Sequence, residues 1–467
     1  MAFERILKVS ALMGASQIIQ LLAAFARAKL TALVLGPSGV GLVGLLTSFN
    51  GNLSALTGWG LGTSGVRAIA SAEAEARAAR IASVRRLGAL LSLAGLALAL
   101  IFASPAGGWI LLEGHPATTE ILIAGMAVPC VVISGGWAAI LQAKGHLRPL
   151  ARAQVVGAVI GLIVGAPLIW WFGTKGLALS LTLAAAVPAL MLWAATRRLE
   201  PPEPDVRASS LRPLLVMGGA LMLVGLFAQA SAYLVRMQLV EFGGLKAAGY
   251  YHAAFAVAGS LPGFVFVAMG ADFFPRVAGA TSESEAAVHA DHQVAAGLIL
   301  GTPLLSLLLS AGGPIMATLY AAGFDPSLPL LDWMVWGVFL RIISWPLGYW
   351  LLARGSSKAV IAVEGLGGTV MTALPLVFLP MFGLVGAAIA YAVGYLVHAA
   401  VRLVMARRQS GSWLSGRTIL GAIASAIVLL CTQLAAGIHP YCGWVTTAAV
   451  TAASLIIGRR ALAHSRI

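Results

Sequence analysis

Apolar runs of roughly 18–25 residues recur along the whole chain, each closed by a short basic or Gly/Pro turn. A run of that length with almost no charge satisfies its backbone in hydrocarbon only as a helix, because a bilayer core offers no hydrogen-bond partner. Composition agrees. Only 10% of the 467 residues are charged and 60% are apolar, whereas soluble domains carry about a quarter charged residues. No stretch is both long and polar enough to form an extramembrane domain. The chain therefore reads as an all-α integral membrane protein. Hydropathy and breaks place helices near 8–28, 39–64, 87–106, 118–141, 151–172 and 176–196, and again near 213–239, 247–272, 293–312, 330–352, 359–380 and 384–406. Two more, near 418–437 and 443–459, bring the total to about fourteen.

The spans form two sets. From Gln142 to Arg198 the order is an Ala143-Lys144-Gly145 turn, an apolar run, Phe172-Gly173, Gly176, another run and Arg197-Arg198. From Leu352 to Arg408 it is Ala353-Arg354-Gly355, a run, Phe382-Gly383, Gly386, a run and Arg407-Arg408. The segments align without a gap at an offset of about 210 residues, as a duplicated bundle does. Two pseudo-symmetric six-helix lobes follow, with two further C-terminal helices. The expected divisions are 1–200, a proline-rich linker at 201–212 containing Pro201-Pro202-Glu203-Pro204, 213–408, and 409–467. Homologous halves in a membrane point to a transporter.

Charge orients the chain. Arg5 and Lys8, then Arg67 to Arg86, Lys144 to Arg152, Arg197 to Arg212, Arg276, Arg354 with Lys358, Arg407 to Arg417 and Arg459 to Arg466 fall in alternate loops. The opposite loops and helix ends hold Glu113, Glu120, Asp325, Asp332 and His439, with Lys29, Lys175 and Lys246 as exceptions. Both termini are expected in the cytoplasm, with the first helix serving as a retained signal anchor. The net charge of +14 is mostly this bias, an anionic substrate or anionic lipid being its other source.

Ionisable groups within spans cost roughly 2.5–3.5 kcal/mol on insertion scales and so point to function. Arg341 lies nine residues beyond Asp332, about 13 Å along the helix and too deep to snorkel easily. It is expected to line a hydrated cavity, the other reading being a structural ion pair. Arg27 and Arg236 hold similar places in helices one and seven, either at the interface of the two lobes or snorkelling to outer headgroups. Gln17, Gln20, Asn50, Asn52, Gln229, Tyr233 and His252 are candidates for a polar, sugar-compatible cavity lining, with interhelical hydrogen bonding as the competing role. Glu364, whose repeat mate is Gln154, is either an ion-coupling carboxylate or the partner of a nearby base.

Other chemistries lack their residues. There is no GxxxxGK[ST] loop for ATP, no nucleophile–base pattern, and no metal spacing among Cys130, Cys431 and Cys442. Glu283, Glu285, His289, Asp291 and His292 match no metal motif and read as a solvated amphipathic linker. No cofactor and no nucleic-acid partner are expected. Short outer loops argue against a membrane glycan polymerase or ligase.

Arg27-Ala28-Lys29-Leu30, then Val34-Leu35-Gly36-Pro37-Ser38-Gly39-Val40-Gly41-Leu42, and the stretch from Ser48-Phe49-Asn50 to Gly65-Val66-Arg67 carry a family resemblance. They resemble the start of the O-antigen (lipopolysaccharide repeat-unit) flippases, in the polysaccharide-transporter branch of the multidrug/oligosaccharidyl-lipid/polysaccharide exporter superfamily. The resemblance implies two six-helix bundles, alternating access and a cationic cavity in the bacterial inner membrane. The implied cargo is an undecaprenyl-diphosphate-linked oligosaccharide moved from the cytoplasmic to the periplasmic leaflet. Implied partners are membrane lipids and a polysaccharide polymerase or glycosyltransferases. The extra helix pair is similar to that of the lipid II flippases, which leaves that cargo open. A cation-coupled multidrug exporter is the further alternative. It is disfavoured because helix one holds no internal carboxylate.

Overall fold

A computed structural model describes residues 2–102, 118–201, 210–280, 282–353, 357–410 and 414–464. The central part of the linker and the Arg354-Gly355 turn lie outside the described residues, as do Glu113 and Arg466. Among the described residues the fold is entirely helical. In chain order the helices are α1 (Ala2–Gly58), α2 (Leu61–Ala70), α3 (Ala74–Phe102), α4 (Thr118–Gly125), α5 (Ala127–Ala143), α6 (Leu147–Leu199) and α7 (Arg212–Gly279). They continue with α8 (Glu283–Leu319), a 3₁₀ turn (Asp325–Ser327), α9 (Leu328–Ala353), α10 (Ser357–Phe382), α11 (Val385–Ser410), α12 (Gly416–Ile438) and α13 (Pro440–His464). Ten segments among the described residues are long and apolar enough to cross a membrane.

The longest helices are each broken by glycine. Gly36 interrupts α1 at φ 63°, Gly173 interrupts α6 at φ 58°, and Gly243-Gly244 interrupt α7, with Gly244 at φ 70°. A left-handed φ costs a residue with Cβ about 1–2 kcal/mol, so glycine is where such a helix turns. Pro37 follows Gly36 and fits the first position of the new helix. The break between α10 and α11 has the same geometry, with Gly383 at φ 63°.

These breaks make the duplication physical. Gly173 and Gly383 are repeat mates, as are Gly176 and Gly386. A Cβ on Gly176 would lie 1.8 Å from the Leu168 carbonyl oxygen, and one on Gly386 would lie 2.0 Å from that of Phe378. Leu168 and Phe378 are repeat mates too. The same backbone crossing thus occurs twice and excludes every side chain both times.

Packing divides the chain into two units, residues 1–233 and 234–467. The division falls inside α7 and not in the proline-rich linker, because the first turns of α7 are held by the N-terminal unit. Trp59 Nε1 donates to the Leu215 carbonyl at 2.8 Å, and Asn52 Nδ2 donates to that of Gln229 at 2.9 Å. In the first unit Leu61, Ile69, Val84, Leu87, Ile140 and Leu214 form one buried cluster. In the second, α8 is sewn to α12 and α13 by Thr302–Ser425 at 3.0 Å and Ser310–Thr447 at 2.9 Å. Asp291 caps α12, accepting from the Ser415 amide and hydroxyl, both at 2.8 Å. The acidic stretch before it is helical, opening on Ser282, whose side chain accepts from the Glu285 amide. Among the described residues no cluster of His, Cys, Asp and Glu could hold a metal ion.

Gly386→Ala should lower unfolding stability in detergent by about 1–3 kcal/mol, the range for forced overpacking. Gly313→Ala has nothing within 4 Å of its new methyl and should raise stability by about 0.5–1 kcal/mol through helix propensity. Opposite signs in denaturant titrations are expected.

Candidate binding cavity and charge network

In the N-terminal unit, α1 and the two halves of α6 line an open cavity of about 200 Å³. Its polar lining consists of Gln20, Arg27 and Gln154, set against Ala23, Ala24, Ala158, Leu162, Ala184 and Pro188. Helical spacing places Gln20, Ala23, Ala24 and Arg27 on one face of α1. Small residues on α6 leave the space, and at its wall the two halves close tightly: a Cβ on Gly157 would meet Pro188 at 2.5 Å. Gln20 Nε2 donates to the Ser16 carbonyl at 3.2 Å, which leaves its oxygen available. No acidic side chain among the described residues stands beside Arg27.

The other polar candidates of this unit have different surroundings. Asn50 Nδ2 donates to the Ala124 carbonyl at 2.9 Å. Asn52 Nδ2 bonds the carbonyls of Ser48 and Gln229, both at 2.9 Å. Both amides therefore join helices, and Tyr233 packs against Phe49 with ring centroids 6.3 Å apart. Gln17 is exposed and does not line the cavity. Glu120, placed by sequence at an outer helix end, is only 7% exposed and accepts from the Thr174 hydroxyl at 2.8 Å.

The C-terminal unit carries a longer array. Arg236 is buried at 5% exposure. It stands 3.5 Å from His252 Nδ1 and lies over the Phe255 ring at 5.2 Å. Phe255 stacks on Tyr251 and meets Tyr391 edge-on at 5.8 Å, and Tyr391 meets Tyr395 at 4.9 Å. Arg341 lies over Phe266 at 4.8 Å and over Tyr395 at 5.9 Å. Tyr391, Tyr395 and Glu364 all face it. Such cation–π contacts contribute about 0.5–2 kcal/mol each, more as water is excluded. Arg236 does not snorkel. It is fixed inside its own unit.

Glu364 closes the array. It is ion-paired with Arg402, with His398 Nε2 at 3.7 Å, and Arg402 also donates to the Ser344 carbonyl at 2.9 Å. A base within reach of Glu364 was one of the two roles its sequence allowed, and Arg402 is that base. Sequence reasoning missed Arg402, His398, Tyr395 and Tyr391. The signal was present: positions 391, 395, 398 and 402 fall on one face of a helix. Arg402 sits close enough to Arg407-Arg408 to read as part of that cytoplasmic cluster.

The model of the family described as "Polysaccharide biosynthesis protein" matches residues 6–280, more than half of the chain. The chain belongs to the polysaccharide biosynthesis protein family. No curated protein matches its sequence. Solved structures do share its fold. The lipid II flippase MurJ, in an inward closed conformation, matches with a TM-score of 0.73 at 14% identity, covering 98% of this chain and 99% of that one. An inward-facing multidrug resistance MATE family transporter of the MOP superfamily gives 0.71 at 14% identity, covering 86% and 98%. An outward-facing MATE family transporter gives 0.62 at 16%, covering 87% and 95%. The family member thus has a membrane-transporter fold and is a multi-pass membrane protein.

Removing one partner of a buried ion pair strands the other, at about 3–5 kcal/mol when burial is complete. Glu364 retains 21% side-chain exposure, so Arg402→Leu should cost less, about 2–4 kcal/mol. Glu364→Leu in the same chain should recover most of that loss in detergent unfolding.

Proposed function

We propose that the protein is a flippase for an undecaprenyl-diphosphate-linked oligosaccharide, an O-antigen-like repeat unit, moved from the cytoplasmic to the periplasmic leaflet by alternating access. The observation that carries this reading is an excess of guanidinium groups within the spans. Arg27 faces a cavity with no acidic neighbour among the described residues. In the second unit Arg236, Arg341 and Arg402 share an array in which Glu364 is already held by Arg402. Positive charge in a low-dielectric wall suits a diphosphate and repels cationic drugs. Membership of a polysaccharide biosynthesis family supports the glycan part of the cargo.

In this reading each of α1, α6 and α7 crosses twice, at its glycine break, and α4 with α5 crosses once. Together with α3 and α8 to α13, fourteen crossings result. The lobes are 1–200 and 213–408, joined by the linker at 201–212 and followed by the helix pair of 409–467. Both termini lie in the cytoplasm and the membrane is the bacterial inner membrane. Arg27, Arg236 and Arg341 attract the diphosphate, while Gln20 and His252 add polar contacts beside two of them. Glu364 is the candidate for ion coupling, with Arg402 as the group that an incoming proton or sodium ion displaces. The protein moves its cargo without altering it, between glycosyltransferases that supply it and a polymerase that consumes it.

A lipid II-type cargo is the second reading. One observation favours it: the likeness to MurJ extends over 98% of this chain, against 86–87% for the MATE transporters. Proteoliposomes carrying a labelled undecaprenyl-diphosphate oligosaccharide test both. Wild type should translocate the O-antigen-like lipid, and Arg27→Ala combined with Arg341→Ala should slow it at least tenfold. Undiminished transport in the double variant would overturn the cationic pathway. Transport of lipid II alone would favour the second reading.

A further inference from the structure

Gln154 and Glu364 are repeat mates, but their surroundings have diverged. Around Glu364 the slot is filled by His398 and Arg402 from α11. The repeat mates of those residues in the N-terminal unit are Pro188 and Leu192. Neither carries charge, and Pro188 lines the wall of the open cavity. One half of the duplication therefore holds a carboxylate closed on its own cation. The other holds a neutral carboxamide, an empty space and Arg27.

Arg27 and Gln154 line the same cavity of about 200 Å³, and the carboxamide of Gln154 has no hydrogen-bond partner among the described residues. A carboxylate at that position would place a negative charge in the chamber that Arg27 faces. In a low-dielectric wall opposite charges pair strongly, as the mate position demonstrates with Arg402. The carboxamide keeps polarity while leaving the guanidinium uncommitted. Gln20 adds a second carboxamide. The lining holds no aromatic face for a sugar ring to stack on, so the chamber suits a compact oxyanion more than a saccharide.

We propose that Gln154 is the residue that sets the charge selectivity of this chamber for a phosphate-type group, by leaving the charge of Arg27 unpaired. The proposal rests on the flippase reading for the source of the anion, a lipid diphosphate. The subsite itself is tested separately from that source.

The experiment is equilibrium binding to the full-length protein in nanodiscs, with a polyprenyl diphosphate, inorganic pyrophosphate and the neutral polyprenol as probes. Gln154→Glu should weaken binding of the diphosphate at least tenfold. Gln154→Lys, equally disruptive in shape, should leave it as tight or tighter, because the two substitutions change the charge in opposite directions. Thermal melts of each variant show that it is folded. Equal affinity in wild type and Gln154→Glu would overturn the proposal, as would equal losses in both variants or no binding of either anion by wild type. Binding of pyrophosphate but not of the polyprenyl diphosphate, with the same charge dependence, would support the subsite and count against the lipid-linked cargo.

Discussion

A bilayer core gives a charged side chain no water, so any guanidinium placed there must find its stabilisation in the protein or in the cargo. That constraint organises this molecule. Arg402 is stabilised by Glu364 and the Ser344 carbonyl. Arg236 and Arg341 rest on aromatic faces. Arg27 faces a chamber lined by carboxamides and alanines. These are three different solutions to one cost, and the ion pair of Arg402 with Glu364 is the first of them. Arg27 leaves its positive potential directed at whatever occupies the space beside it.

The glycine breaks serve the same arrangement from the backbone side. A helix that reverses within the membrane's edge needs one residue at positive φ and a close crossing behind it. Gly173 and Gly383 supply the first, Gly176 and Gly386 the second. With the scaffold fixed twice over, the duplicated halves were free to diverge in their linings. The C-terminal unit packed its slot with Tyr391, Tyr395, His398 and Arg402, while the N-terminal unit kept a cavity.

Much of the fold was legible in the sequence. The apolar runs, Gly36-Pro37, Gly173, Gly383 and the in-register segments near 142–198 and 352–408 are local signals, and local backbone chemistry decides them. The cationic residues were legible too, because insertion cost alone singles out Arg27, Arg236 and Arg341. What escaped was pairing across helices. Nothing in the order of residues says that Asn50 and Asn52 bond carbonyls 74 and 177 residues away. Nor does it say that Glu120 accepts from Thr174. Arg402 was hidden by its neighbours Arg407 and Arg408, whose position at a helix end has an ordinary explanation. Its partnership with Glu364 depends on how α10 and α11 pack, which a one-dimensional reading does not contain.

In the proposed function, the charge of these linings selects an anionic lipid-linked cargo. Thermal stabilisation of the purified protein measures that selection directly, comparing an undecaprenyl-diphosphate oligosaccharide with a lipophilic cationic drug at matched concentration. The account predicts a clear rise in melting temperature with the anionic lipid and none with the cation. Stabilisation by the cationic drug, with no response to the anionic lipid, would contradict it.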